Sequence, residues 1–121
     1  MGDMLKSDRV PDMSKLSVAD AKLIALSELV KSLDKSEREK LLSGYDLKRF
    51  AKIFEDASMM LTIDTFLDSG MNVSETARKL YMHRNTLMYR LASVRRKTGL
   101  DIRNFDMAVT FKLLHSLYMI K

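Results

Sequence analysis

From Arg84 to Arg96 the sequence sets four arginines (Arg84, Arg90, Arg95 and Arg96) beside Asn85 and Tyr89, with no acidic residue among them. A guanidinium donates forked hydrogen bonds to phosphate or to the paired acceptors of a guanine edge, and a carboxamide matches the donor and acceptor of adenine. Such groups bind a polyanion; they make and break no covalent bond. The reagents of enzymatic chemistry are not grouped anywhere. The chain has no Cys, and its two histidines, His83 and His115, stand far apart in the sequence. Its four glycines are scattered singly, so no glycine-rich phosphate loop exists. The ten methionines avoid any polar cluster and read as core filler rather than a copper site. No enzyme, metal site or cofactor is expected.

Charge supports a binding role. Residues 1–71 hold 11 Lys/Arg against 13 Asp/Glu, whereas residues 72–103 hold 8 against 2. The net charge of +5 therefore arises from about a quarter of the chain, a concentration that attracts nucleic acid. The plainer alternative is a solvated basic face.

Helices must position these groups. Hydrophobic residues make up 46% of the 121, enough for a core, and Gly and Pro are sparse beside Leu, Met, Ala, Lys and Glu. The expectation is an all-α helical bundle of about six helices in one domain. No disulfide is available, no run of roughly 18 apolar residues could span a bilayer, and the N-terminus lacks a signal-peptide core. A cytoplasmic location is the default, with no membrane contact. Residues 1–15 read as a flexible leader, 16–56 as an N-terminal helical region and 57–121 as the nucleic-acid-binding domain.

Leu16, Ala19, Leu23, Leu26, Val30 and Leu33 mark one face of a first helix, with Ser17 as its cap. That face packs on the core or pairs two chains. Asp34 or Ser36 starts a second helix ending at Ser43 and a left-handed Gly44. Asp46 starts helical sequence reaching Ser69-Gly70, either unbroken or interrupted between Asp56 and Ser58. Asn104 caps a final helix that is apolar nearly all round (Phe105, Ala108, Val109, Phe111, Leu114, Leu117), so it must be buried in the core or against a second subunit.

Between these lies a sharper signal. Asn72 and Glu75 form a capping pair for a short helix burying Val73, Ala77 and Leu80. Tyr81 to His83 fits only a tight turn, plugged by Met82. A longer helix then begins at His83 or Arg84, with Leu87, Leu91 and Val94 inward and Arg84, Asn85, Met88, Tyr89, Ala92, Arg95 and Arg96 outward. Short helix, turn and longer basic helix make a helix-turn-helix, although many bundles contain such pairs without touching DNA.

The string from Asn72 to Leu91, with the core His83-Arg84-Asn85-Thr86-Leu87 followed by Tyr89-Arg90-Leu91, and the run Lys97-Thr98-Gly99-Leu100, resembles the C-terminal helix-turn-helix of PucR/CdaR regulators. Those regulators govern purine-catabolism and sugar-diacid genes. A more distant similarity is to the Fis-type helix-turn-helix. The resemblance covers residues 61–117 and implies a sequence-specific transcriptional regulator that binds double-stranded DNA. Family members usually carry sensory and nucleotide-cyclase-like regions ahead of this domain. The present chain is then a stand-alone regulator or the C-terminal piece of a longer one.

On that plan the helix at about 83–97 lies in the major groove, where Arg84, Asn85, Met88 and Tyr89 are the candidates for base contact. Ser74, Thr76, Arg78, Lys79, Thr86, Arg90, Arg95 and Arg96 are the candidates for phosphate contact. A homodimer reading a palindrome is expected. The other readings are a helical protein-interaction module whose basic face meets an acidic partner, and a non-specific nucleoid-type DNA binder.

Overall fold

The computed structural model describes residues 25–120. The leader at 1–15, the apolar residues Leu16, Ala19 and Leu23, and the Ser17 cap lie outside the described residues. Within them the chain is all-helical, with seven helices rather than about six. They are α1 (Leu26–Lys31), α2 (Lys35–Ser43), α3 (Leu47–Phe54), α4 (Ala57–Asp68), α5 (Val73–Lys79), α6 (Arg84–Thr98) and α7 (Phe105–Ile120).

Local chemistry sets most of the boundaries. Asp34 accepts the Glu37 amide at 2.8 Å, Asp46 the Lys48 amide at 3.2 Å and Asp56 the Met59 amide at 3.0 Å. Each side chain satisfies one of the four amides that a helix start leaves unpaired, a contribution of about 1 kcal/mol apiece. Asp56 thereby resolves the 46–68 stretch into two helices. Asn104 accepts the Met107 amide at 3.1 Å and starts α7.

At the far ends, Gly70 and Gly99 adopt left-handed backbone, with φ of 68° and 86°. Gly44 does not, contrary to expectation. Its φ is −80°, and its neighbour Tyr45 closes the turn by an amide bond to the Leu42 carbonyl at 3.1 Å. A right-handed turn residue suffices there, so the glycine is not needed for its conformational freedom.

The core is shared by all seven helices. Phe50, Ile53 and Phe54 of α3, Ile63 and Phe66 of α4, Leu87, Leu91 and Val94 of α6 and Phe111, Leu114 and Leu117 of α7 form one buried cluster, which Val30 of α1 and Leu42 of α2 join. Phe54 and Phe111 meet edge-on, 5.3 Å between ring centroids. The segment between α6 and α7 is no free linker: Ile102 is fully buried, and Arg103 holds Asp101 in a two-pronged pair at 2.8 and 3.0 Å.

The last helix is buried along one face. Ala108, Phe111, Leu114 and Leu117 are buried at spacings of three, while Phe105 is 69% and Met119 67% exposed. One face is therefore absorbed by the chain itself, and the remainder of its apolar coat is not.

Candidate nucleic-acid interface

Two helices and a strained corner carry the site. Asn72 accepts the Glu75 amide at 2.9 Å and opens α5. The reciprocal half of the expected capping pair is absent, because the Glu75 carboxylate turns forward to the Arg78 guanidinium. That charged partner, one turn along, outcompetes a neutral amide for the carboxylate.

The corner follows from α5. Tyr81 has φ of 51°, Met82 donates to the Ala77 carbonyl at 2.9 Å, and Tyr81 donates to the Arg78 carbonyl at 3.2 Å. This reciprocal pair with one left-handed residue is the Schellman helix stop. Met82 is half-buried and packs on the core, as a corner plug should. His83 then caps α6 by accepting the Asn85 amide on Nδ1 at 3.0 Å. The cap is thus the imidazole, which leaves the Asn85 carboxamide exposed and uncommitted among the described residues.

Helix α6 is two-sided. Leu87, Leu91 and Val94 have no exposed surface at all, and Ala77 of α5, 8% exposed, lets the two helices cross closely. Arg84, Asn85, Thr86, Tyr89, Arg95 and Arg96 are exposed, with Met88 and Ala92 half-buried between them. Tyr89 is 68% exposed, so it is not folded against α7, and the Arg96 guanidinium lies over its ring at 5.0 Å. That stacking turns a cation and an aromatic outward together. At the opposite end, Arg84 Nη1 donates to Ser74 Oγ at 2.8 Å, linking the first residue of α6 to the start of α5.

Two expected phosphate contacts are moved elsewhere. Thr76 is fully buried, and its hydroxyl donates to the Asn72 carbonyl at 2.7 Å, so it cannot reach a phosphate and leaves the candidate set. Arg90 folds back on α4, donating from Nη2 to Ser58 at 2.9 Å and from Nε to Thr62 at 3.3 Å. It braces α6 rather than extending its outer face. Arg78 and Lys79 remain exposed, the first paired with Glu75 and the second donating to Ser69 Oγ at 3.1 Å.

One contact to α6 was not foreseen. Arg49 of α3 donates from Nη2 to the Arg96 carbonyl at 3.0 Å, in the last turn of α6. The only hint in the sequence is three cations, Lys48, Arg49 and Lys52, in a helix without an acid.

Residues 59–114 match the family described as the PucR C-terminal helix-turn-helix domain, and the matched span contains α5, the left-handed corner and α6. This segment is a PucR-type helix-turn-helix domain. The chain is 31% identical over 98 residues to the purine catabolism regulatory protein of Bacillus subtilis (strain 168), across 74% of this chain and 18% of that protein. It is 37% identical over 59 residues to the uncharacterized protein YsfB of the same organism, across 49% of this chain and 16% of that one. Among solved structures it is similar to the regulator of polyketide synthase expression from Bifidobacterium adolescentis. There the TM-score is 0.56 at 28% identity, over 79% of this chain and 38% of that one. The chain thus spans less than a fifth of the length of these two Bacillus relatives. Within the PucR-type domain, exposed and charged residues cluster on α6 away from its leucines.

Proposed function

We propose that this chain is a sequence-specific DNA-binding transcriptional regulator, with the exposed side of α6 in the major groove. The observation that carries the reading is the division of α6: Leu87, Leu91 and Val94 wholly buried, and Arg84, Asn85 and Tyr89 exposed on the other side. A groove about 12 Å wide admits a helix, which reads base edges only through exposed side chains. The match to a PucR-type helix-turn-helix and to a purine catabolism regulator supports the same reading.

Arg84 and Asn85 are assigned to base edges, each good pair discriminating by about 1–3 kcal/mol. Met88 and Tyr89 supply apolar and hydroxyl contacts beside them. Ser74, Thr86, Arg95 and Arg96, with Arg78 and Lys79 at the rim, face phosphates. The chain acts by binding rather than catalysis, and the cytoplasm is its place of work; among the described residues no helix is long and apolar enough to cross a membrane.

Two copies acting on one palindrome would place half-sites about 34 Å apart, or a multiple. The apolar surface left open on α7 at Phe105 and Met119 and on α1 at Leu29 supports such pairing. Residues 57–121 would then hold the DNA and residues 16–56 would contribute to the dimer.

Selection of bound duplexes from a random pool by the full 121-residue chain tests the proposal. The expected result is enrichment of one motif, with the preference at one base pair lost in Arg84→Ala. With about six phosphates neutralised per subunit, log affinity should fall with log salt at a slope near −5. Salt-dependent binding without enrichment would make the chain a nucleoid-type binder. Failure to bind any duplex at low salt would leave a protein-interaction module.

A further inference from the structure

A second basic surface lies beyond the residues assigned to DNA. Arg49 and Lys52 of α3 and Lys97 near the end of α6 line a cleft of ≈190 Å³. All three are exposed, and no carboxylate pairs with any of them among the described residues. Arg49 and Lys52 also fall outside the span matched by the PucR-type domain. The last turn of a helix is ordinarily the wrong place for an anion, since its unpaired carbonyls carry partial negative charge. Here the Arg49 guanidinium covers one of those carbonyls, that of Arg96. One carbonyl of the negative end is thus covered, and Lys52 and Lys97 have no carboxylate partner among the described residues.

Helical geometry fixes where this cleft lies. At about 100° per residue, Lys97 is some 140° around the helix from Arg84, and about 20 Å along its axis. Arg84 is held to Ser74 of α5, whereas Arg49 is held to Arg96 from α3. So α5 is joined to the first turn of α6 and α3 to its last. A helix seated in the major groove has a phosphate ribbon on each side. The start of α5 can serve only one of them.

We infer that Arg49, Lys52 and Lys97 form a second phosphate-binding flank, which grips the strand across the groove from α5. The inference rests on the DNA-binding reading of α6 and adds the opposite backbone to it. In this role the α3 cations carry no base preference, because phosphates are alike at every base pair.

The test compares Lys52→Ala/Lys97→Ala with the unmodified full chain and with the charge-matched control Lys35→Ala/Lys40→Ala, whose residues lie on α2. Arg49 is left in place because it supports α6, and circular dichroism checks each fold. Affinity is measured by fluorescence anisotropy against salt, on a mixed-sequence duplex of roughly three helical turns and on a duplex selected from the random pool. The expected result is a log–log salt slope shallower by about 1.8 and a loss of roughly tenfold at about 0.15 M salt, equal on both duplexes, with the α2 control unchanged. Unaltered slope and affinity would overturn the inference while leaving DNA binding by α6 standing. A loss confined to the selected duplex would overturn it too, by making the contact one to bases. If the unmodified chain bound neither duplex, the DNA-binding reading would fall and this flank with it.

Discussion

Arg84 Nη1 lies 2.8 Å from Ser74 Oγ, so the first side chain of α6 is held by the first turn of α5. Both residues are exposed, and the hydroxyl orients the guanidinium without burying it. Ser74→Ala should therefore leave stability nearly unchanged while weakening binding to a selected duplex only severalfold. Arg84→Ala should cost about 1–3 kcal/mol of binding, roughly 5- to 150-fold, and relax the preference at one base pair. Titration of the two variants against selected and scrambled duplexes checks the order. Equal losses on both duplexes would make Arg84 a phosphate ligand.

Arg90 predicts the opposite behaviour. Its Nε and Nη2 donate to Thr62 and Ser58, and Thr62 is only 2% exposed. Arg90→Ala should lower stability by about 1 kcal/mol, the usual net value of hydrogen bonds of this kind. The salt slope for DNA should barely move. Chemical denaturation paired with salt titration separates this bracing role from a phosphate contact, which would shift the slope by about 0.9.

Tyr81 holds φ of 51° at the helix-turn-helix corner while 98% exposed. A side chain in left-handed backbone costs about 1 kcal/mol or more relative to glycine, and here no packing offsets it. Tyr81→Gly should raise the melting temperature by a few degrees. An unchanged or lower value in a thermal scan would mean that the ring makes a stabilising contact in solution.

His115 gives a pH dependence whose sign can be worked out. Burial beside Phe54, 5.0 Å between ring centroids, lowers its pKa. Asp64 opposes that shift and Lys112 reinforces it. The folded state therefore binds the proton less well than the unfolded chain. Stability should be full above the ordinary imidazole value of about 6.5 and decline as pH falls below it, levelling once the folded form also protonates. His115→Leu should flatten that stretch of a melting-temperature profile. A profile as steep as before would assign the effect to other groups.

Much of the site was legible because it is written in local spacing. Leu87, Leu91 and Val94 recur at four and three residues, Asn72 stands where a cap must, and Ser69-Gly70 stands where a helix stops. These signals depend on one turn of chain and need no knowledge of neighbours. What escaped depends on pairs far apart in sequence. Nothing near Arg90 announces Ser58 and Thr62, and nothing near Arg49 announces the Arg96 carbonyl. Thr76 was misplaced for a related reason: a hydroxyl in a first helical turn can face a phosphate or bond back to its own backbone, and crossing helices bury it in the second state. Gly44 shows the reverse error, a glycine where no positive φ is required.

Which side of α6 meets DNA is the central question for this chain. Backbone amide shifts of the 15N-labelled chain, followed while a selected duplex is added, address that point without any substitution. The prediction is that the largest changes fall at Ser74, Arg84, Asn85, Tyr89 and Arg96. Changes centred on α1 and α7, with the α6 amides unmoved, would contradict it.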